Sequence, residues 1–124
     1  MAGPAATSQR FGRESRLRRR VEFTAVQNGG RRVSGRYLTL LGRPNALTND
    51  RLGVVASRKV GGAVVRNRAK RRLRDVFRRR PSADAGLHPA WDLVAIAKSE
   101  LAGAPFPLVE TEFLAALRKL RGTR

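Results

Sequence analysis

The stretch from residue 57 to 75, SRKVGGAVVRNRAKRRLRD, holds eight arginines and lysines and one carboxylate, Asp75. Cations at that density suit phosphate binding. Arginine's planar fork meets phosphate oxygens in pairs and its plane stacks on unpaired bases, while lysine acts as a point charge. The residues that would cut a phosphodiester are absent from the pattern. The one histidine, His88, stands beside Pro89 in a stretch that reads as a loop. The nine carboxylates include no DxD or ExxE-type pair that would hold two metal ions for hydrolysis. Glu110 and Glu112 are close together, and a helix start matched to its dipole accounts for them. Gly61-Gly62 is not followed by Gly-Lys-Ser/Thr, so it is no phosphate loop of the nucleotide-hydrolase type. With no cysteine there is no zinc knuckle and no thiol nucleophile. The expectation is a ligand for a polyanion, with no catalytic and no metal-binding residues of its own.

Set on a helix, Val65, Ala69, Leu73, Val76 and Phe77 fall within about 120° of one another, an ordinary core-facing stripe. The far side then carries Arg66, Lys70, Arg74 and Arg78 in one row, with Asn67 and Arg71 in the next. Like charges four apart cost about 0.2–0.5 kcal/mol a pair, and a face under no functional demand intersperses glutamates. Only Asp75 relieves this field, and its position points toward Arg68, Arg71 and Arg72.

The whole chain has the same bias. Its 124 residues carry 27 basic and 9 acidic side chains, a formal net charge of +18. Of the basic residues 23 are arginine and 4 lysine. Such an excess repels itself in a compact state unless a polyanion is bound, and nucleic acid is the first expectation, ahead of an anionic membrane. A hydrophobic content of 41% is that of a folded domain. No apolar run approaches a membrane span, and MAGPAATSQR lacks the apolar core of a signal peptide, so no membrane role and a cytoplasmic location are expected.

The elements that must position the basic stretch read as follows. Residues 1–14 form a flexible arm, and residues 15–121 one domain. Leu17, Val21 and Ala25 lie four apart with Phe23 and Val26 beside them, a short helix from Arg16 stopped at Asn28-Gly29-Gly30. Residues 33–41 contain a strand, 42–50 a loop, and 52–57 a second strand spaced as an antiparallel neighbour. The basic helix spans about 63–79. After a loop at 81–89, WDLVAIA at 91–97 reads as a central strand covered on both faces. A last helix covers 108–120. This order, helix, two strands, helix, strand, helix, indicates an α+β domain with one mixed sheet and helices packed on it.

The run RLGVVASRKVGGAVVRNRAKRRLRDVFR resembles the signature of the protein subunit of bacterial ribonuclease P. The matching elements are Arg58-Lys59 closing a strand, Gly61 in the turn, Arg66-Asn67-Arg68, and Lys70-Arg71 with Arg74. The resemblance extends over roughly residues 11–120 and takes in Phe23, Gly53 and the WDLVAIA strand. It implies a ribosomal-protein-like α+β fold with a left-handed crossover around the basic helix, where ordinary topology favours a right-handed one. It also implies an accessory protein that binds a catalytic RNA and the 5′ leader of precursor tRNA, promoting endonucleolytic 5′ maturation. In that family the RNA and its Mg2+ ions perform the hydrolysis, and the protein itself binds no cofactor. Carried over, the RNA-binding residues are Arg58, Lys59, Arg66, Asn67, Arg68, Lys70, Arg71 and Arg74. The leader cleft would be lined by Phe23, Lys59 and Tyr37, with one protein per ribonucleoprotein. Two positions depart from the family pattern: Gly62 replaces an asparagine, and Gln27 replaces an aromatic. A ribosomal or RNA-chaperone protein, and a DNA-compacting protein, are the competing readings of the charge, but neither needs a fixed Asn67 or an aromatic beside the sheet.

Overall fold

The computed structural model describes residues 16–17, 19–81 and 90–122. The expected arm at 1–14, His88 and nearly all of the 81–89 loop lie outside them. The elements are α1 (Arg20–Gly29), β1 (Arg31–Ser34), β2 (Leu38–Pro44), β3 (Arg51–Val55), a 3-10 turn (Arg58–Val60), α2 (Ala63–Arg78), β4 (Trp91–Ala97) and α3 (Phe106–Gly122).

One four-stranded mixed sheet has the order β1-β2-β4-β3. β1 pairs with β2, and β2 with β4, antiparallel, with Val33 opposite Leu40 and Leu41 opposite Val94. β3 pairs with β4 in parallel, with Gly53 opposite Val94. The expected antiparallel neighbour of β2 is therefore not β3. β4, apolar on both faces, takes the central slot, and the chain after β2 crosses to the far edge. That crossing is fixed by polar contacts to β4: Trp91 N donates to Asp50 Oδ1 (2.8 Å), and Asn45 Nδ2 to Asp92 Oδ1 (2.8 Å). The α+β class with one mixed sheet stands, and α2 is the connection between the adjacent parallel strands β3 and β4.

Two further boundaries differ from expectation. The first helix starts at Arg20, not Arg16. Leu17 lies in an extended segment whose N–H donates to Leu52 O (3.0 Å), so its fit to the helical spacing is accidental. Glu22 accepts from the Arg19 N–H (3.1 Å) and closes the first turn of α1 instead. The single strand expected at 33–41 is a hairpin, whose outer strand, Arg-Arg-Val-Ser, is an exposed edge without apolar alternation.

The sheet buries both faces. On one, Leu38, Leu40, Leu52, Leu93 and Ala95 pack against Ala69, Leu73, Val76 and Phe77 of α2 and Val109, Phe113, Leu117 and Leu120 of α3. Each leucine, valine or phenylalanine fully buried here contributes roughly 1.5–3 kcal/mol before the entropy of ordering it. On the other, α1 covers a smaller cluster of Leu17, Val26, Leu41 and Val94, with Phe23, Val55 and Ile96 half-buried at its margin.

Candidate nucleic-acid interface

Gly61, at φ 149°, takes a backbone conformation that side-chain-bearing residues avoid, and it turns the chain from the 3-10 turn into α2. The N-cap is Gly62, which offers no side-chain acceptor to the first turn. A Cβ there would meet nothing within 4 Å, so the departure from asparagine leaves packing intact and forgoes only a cap. From Gly61 onward Ala69, Leu73, Val76 and Phe77 are buried as expected, and the helix presents its other side outward.

The outward ridge is turned by about one residue from the expected row. Its exposed members are Val64, Asn67, Arg68, Arg71 and Arg74, while Arg66, Lys70 and Arg78 are half-buried. Arg66 Nη1 donates to Gly61 O (3.0 Å) and holds the turn. Asp75 pairs with Arg78 (3.0 Å), and not with Arg68, Arg71 or Arg72. Among the described residues Asn67, Arg68, Lys70 and Arg71 have no hydrogen-bond or ion-pair partner. Val64, Asn67, Arg68 and Arg71 line a shallow hollow of about 340 Å³, and Val64, 74% exposed, is its apolar wall. Arg74 is pushed below its ordinary value, first by burial and then by the nearby Arg16 guanidinium. Two cations meeting at the C-terminal part of α2 make an anion there more favourable.

Among the described residues four acids are occupied away from this ridge. Glu22 and Asp92 hold Arg51, Asp50 holds Arg80 and Arg121, and Glu100 pairs with Arg36. Burial opposes the charge on Arg51, yet the Asp92 hydrogen bonds outweigh it and raise its proton affinity. Glu112 is not in the first turn of α3. Its carboxylate accepts from the backbone N–H of Arg36, Tyr37 and Leu38 (2.9, 2.8 and 2.9 Å) and fastens the β1–β2 hairpin, so helix-dipole matching does not explain it. Among the described residues no three of His, Cys, Asp or Glu lie together as metal ligands would.

The residues expected in a cleft are partly brought together. Phe23 lies on the α1 face of the sheet, its ring against Gly53, where an added Cβ would come within 2.4 Å of Cζ. Beyond it Val55 and Ile96 remain half-buried, opposite one another in β3 and β4. Arg58 and Lys59, both exposed, follow the β3 end of this open row, and Lys59 O accepts from Ser99 Oγ (3.3 Å) just after β4. Tyr37 is a correction. It is buried in the larger core with Arg36 over its ring, 5.4 Å from the centroid, and takes no place beside Phe23. Gln27 is exposed on α1. Lys98 was not foreseen: its Nζ reaches Ser34 Oγ (3.0 Å), which in turn meets Thr39 Oγ1 (3.0 Å). A lysine just past an apolar strand was the available signal.

Three comparisons bear on this geometry. The family model described as Ribonuclease P matches residues 11–121. The ribonuclease P protein component of Citrifermentans bemidjiense is 38% identical over 115 residues, which cover 93% of this chain and 96% of that protein. The counterpart from Thermotoga maritima is 33% identical, with 93% and 99% covered. The solved structure of the RNase P protein from Thermotoga maritima superposes with a TM-score of 0.73 at 31% identity, covering 84% of this chain and 96% of that one.

Proposed function

This chain belongs to the ribonuclease P protein family, and from that premise we propose that it is the RNA-binding protein component of a ribonuclease P, promoting 5′ maturation of tRNA. The observation that carries the proposal is the outer side of α2, where Asn67, Arg68 and Arg71 on the ridge and the half-buried Lys70 beside it have no side-chain partner among the described residues. Phosphates of the ribonuclease P RNA supply the missing charge, with Arg58, Lys59, Arg66 and Arg74 extending the contact along the turn and the helix. The open row of the sheet beside α1 takes the leader of precursor tRNA. Phe23 offers an aromatic ring on which an unpaired base stacks, at about 1–3 kcal/mol per base, and Lys59 a cation for its phosphate. Gln27 in place of a ring leaves that stacking surface shorter. Hydrolysis falls to the RNA with its Mg2+ ions, and the protein contributes positioning and charge. One copy serves each ribonucleoprotein, in the cytoplasm. The ribosomal and DNA-compacting readings need charge alone and leave Asn67 and Phe23 without a purpose.

Reconstitution tests the proposal. Added to a bacterial ribonuclease P RNA at low Mg2+, the protein restores accurate cleavage of a precursor tRNA, and the complex binds precursor more tightly than mature tRNA. Cleavage that is no better than with RNA alone rejects the function. Equal affinity for the two tRNAs rejects the leader site.

A further inference from the structure

We propose that a second pocket on the α1 face of the sheet takes an unpaired nucleobase carrying an exocyclic amino group, with cytosine as the simplest example. It lies across α1 from the Val55–Ile96 row. The strand registers place Arg51, Asp92 and Arg43 side by side in one row, and Val55, Ile96 and Thr39 in the other, with α1 packed over the Gly53–Val94–Leu41 row between them. The cavity measures about 370 Å³, room for a nucleoside.

Its walls suit a flat ring. Val21 and Ala25 of α1 face it on one side, Pro44 and Ala46 on the other, and Val21 is 67% exposed although large and apolar. Ala46 holds a left-handed backbone conformation, φ 60°, which a side-chain-bearing residue keeps only when its surroundings insist. Asn45 insists here. Its Oδ1 accepts from Leu47 N (2.7 Å), and its amide donates to Asn49 O (3.2 Å) and Asp92 Oδ1 (2.8 Å), so this wall is preformed.

The deep end is an acceptor surface. Asp92 Oδ1 accepts from Asn45 and Arg51 (both 2.8 Å), while Oδ2 accepts from Arg51 Nη2 alone (2.8 Å). A carboxylate oxygen has two acceptor positions, so Oδ2 keeps one for an amino group. Glu22 stands beside it on the other side of the Arg51 guanidinium. Uracil can offer the carboxylate only its single N3–H, flanked on both sides by carbonyl oxygens that the carboxylate repels, where cytosine presents an amino group. At the rim Arg43 is exposed, and its contact to Ala25 O, at 3.5 Å, is too long to hold it, so it is free to swing onto the nucleotide's phosphate. None of these residues belongs to the α2 ridge or to the Phe23 cleft.

The test uses the full chain and three probes, cytidine monophosphate, uridine monophosphate and inorganic phosphate, followed through backbone amide resonances. Cytidine monophosphate shifts Ala25, Arg43 and Ala46 in a saturable way, and uridine monophosphate does so roughly tenfold more weakly. Inorganic phosphate moves α2 amides and leaves these three in place. Val21→Glu, at an exposed position, abolishes the cytidine shifts while the α2 response to phosphate is retained. Equal shifts with the two nucleotides, shifts confined to α2, or cytidine binding that survives Val21→Glu each overturn the proposal. Reconstituted tRNA processing is unaffected by any of these outcomes, so this site and the function proposed above fail separately.

Discussion

Arginine crowds two parts of this molecule, and the two treat it in opposite ways. Near the start of β4, Asp50 is 3% exposed and accepts from Arg80, from Arg121 and from the backbone of Trp91. Arg80 lies over the Phe77 ring, 3.9 Å from its centroid, and Arg31 over Trp91, at 6.0 Å. There arginine is mortar, neutralised by a carboxylate and laid on aromatic faces. Along the outer ridge of α2 the same residue type stands exposed, and among the described residues Arg68 and Arg71 face no acid. The difference shows that arginine count alone says little. Where a chain places its few carboxylates decides which arginines hold the fold and which wait for a ligand.

The contrast can be broken from either end. Removing the carboxylate at the buried corner has the largest expected effect. Asp50→Ala takes the carboxylate from two buried guanidiniums and the acceptor from the Trp91 N–H, at a cost of about 3–5 kcal/mol. Urea denaturation should show a much lower midpoint, while the folded fraction binds RNA as before. A small stability change would mean that the corner is held by its aromatic contacts alone.

Next comes the ridge. With about six phosphate contacts, RNA affinity should fall on the order of 10³-fold between 50 and 200 mM salt. Arg68→Ala and Arg71→Ala should each lower the slope of log affinity against log salt by about one, with the urea midpoint unmoved. An unchanged slope would show that these side chains are solvated and not bound.

The smallest effect sharpens the comparison within the ridge itself. Asn67 carries no charge, so Asn67→Ala should weaken RNA binding by roughly 0.5–1.5 kcal/mol, the worth of a neutral hydrogen bond, and leave the salt slope as it was. A change of slope would mean that Asn67 acts by orienting its charged neighbours.

Much of this arrangement was legible in the residues, for identifiable reasons. β4 announces itself because both of its faces are apolar, and α2 because its apolar stripe recurs at helical spacing. What hid were features decided by distant partners. β3 runs parallel to β4, a pairing set through Asp50, Asn45 and Asp92, and no local pattern reports it. β1 is an edge strand, which needs no apolar alternation. Leu17 keeps helical spacing by coincidence: its N–H bonds Leu52 O in an extended segment, and its side chain is buried with Val26, Leu41 and Val94 instead. Tyr37 carries an aromatic ring suited to a cleft, yet its position beside the Glu112-bound hairpin sends it into the core. Asp75 lies toward Arg71 and Arg72 on one side and Arg78 on the other at comparable helical spacing, and spacing does not report that it pairs with Arg78. The candidate ridge was visible in outline, and its exact face depended on Arg66 and Arg78 being drawn aside by Gly61 and Asp75.

The position of α2 as the link between β3 and β4 also has a mechanical side. In chain order the helix follows β3 and precedes β4, and those two strands are hydrogen-bonded to each other along registers from Arg51–Asp92 to Val55–Ile96. Were an RNA held on the ridge as proposed, a pull on it would reach β3 and β4 at opposite ends and load their ladder in shear, with the rungs sharing the strain and no end peeled open. On that proposal the helix is a handle set across two adjoining planks, passing force from the RNA into the sheet.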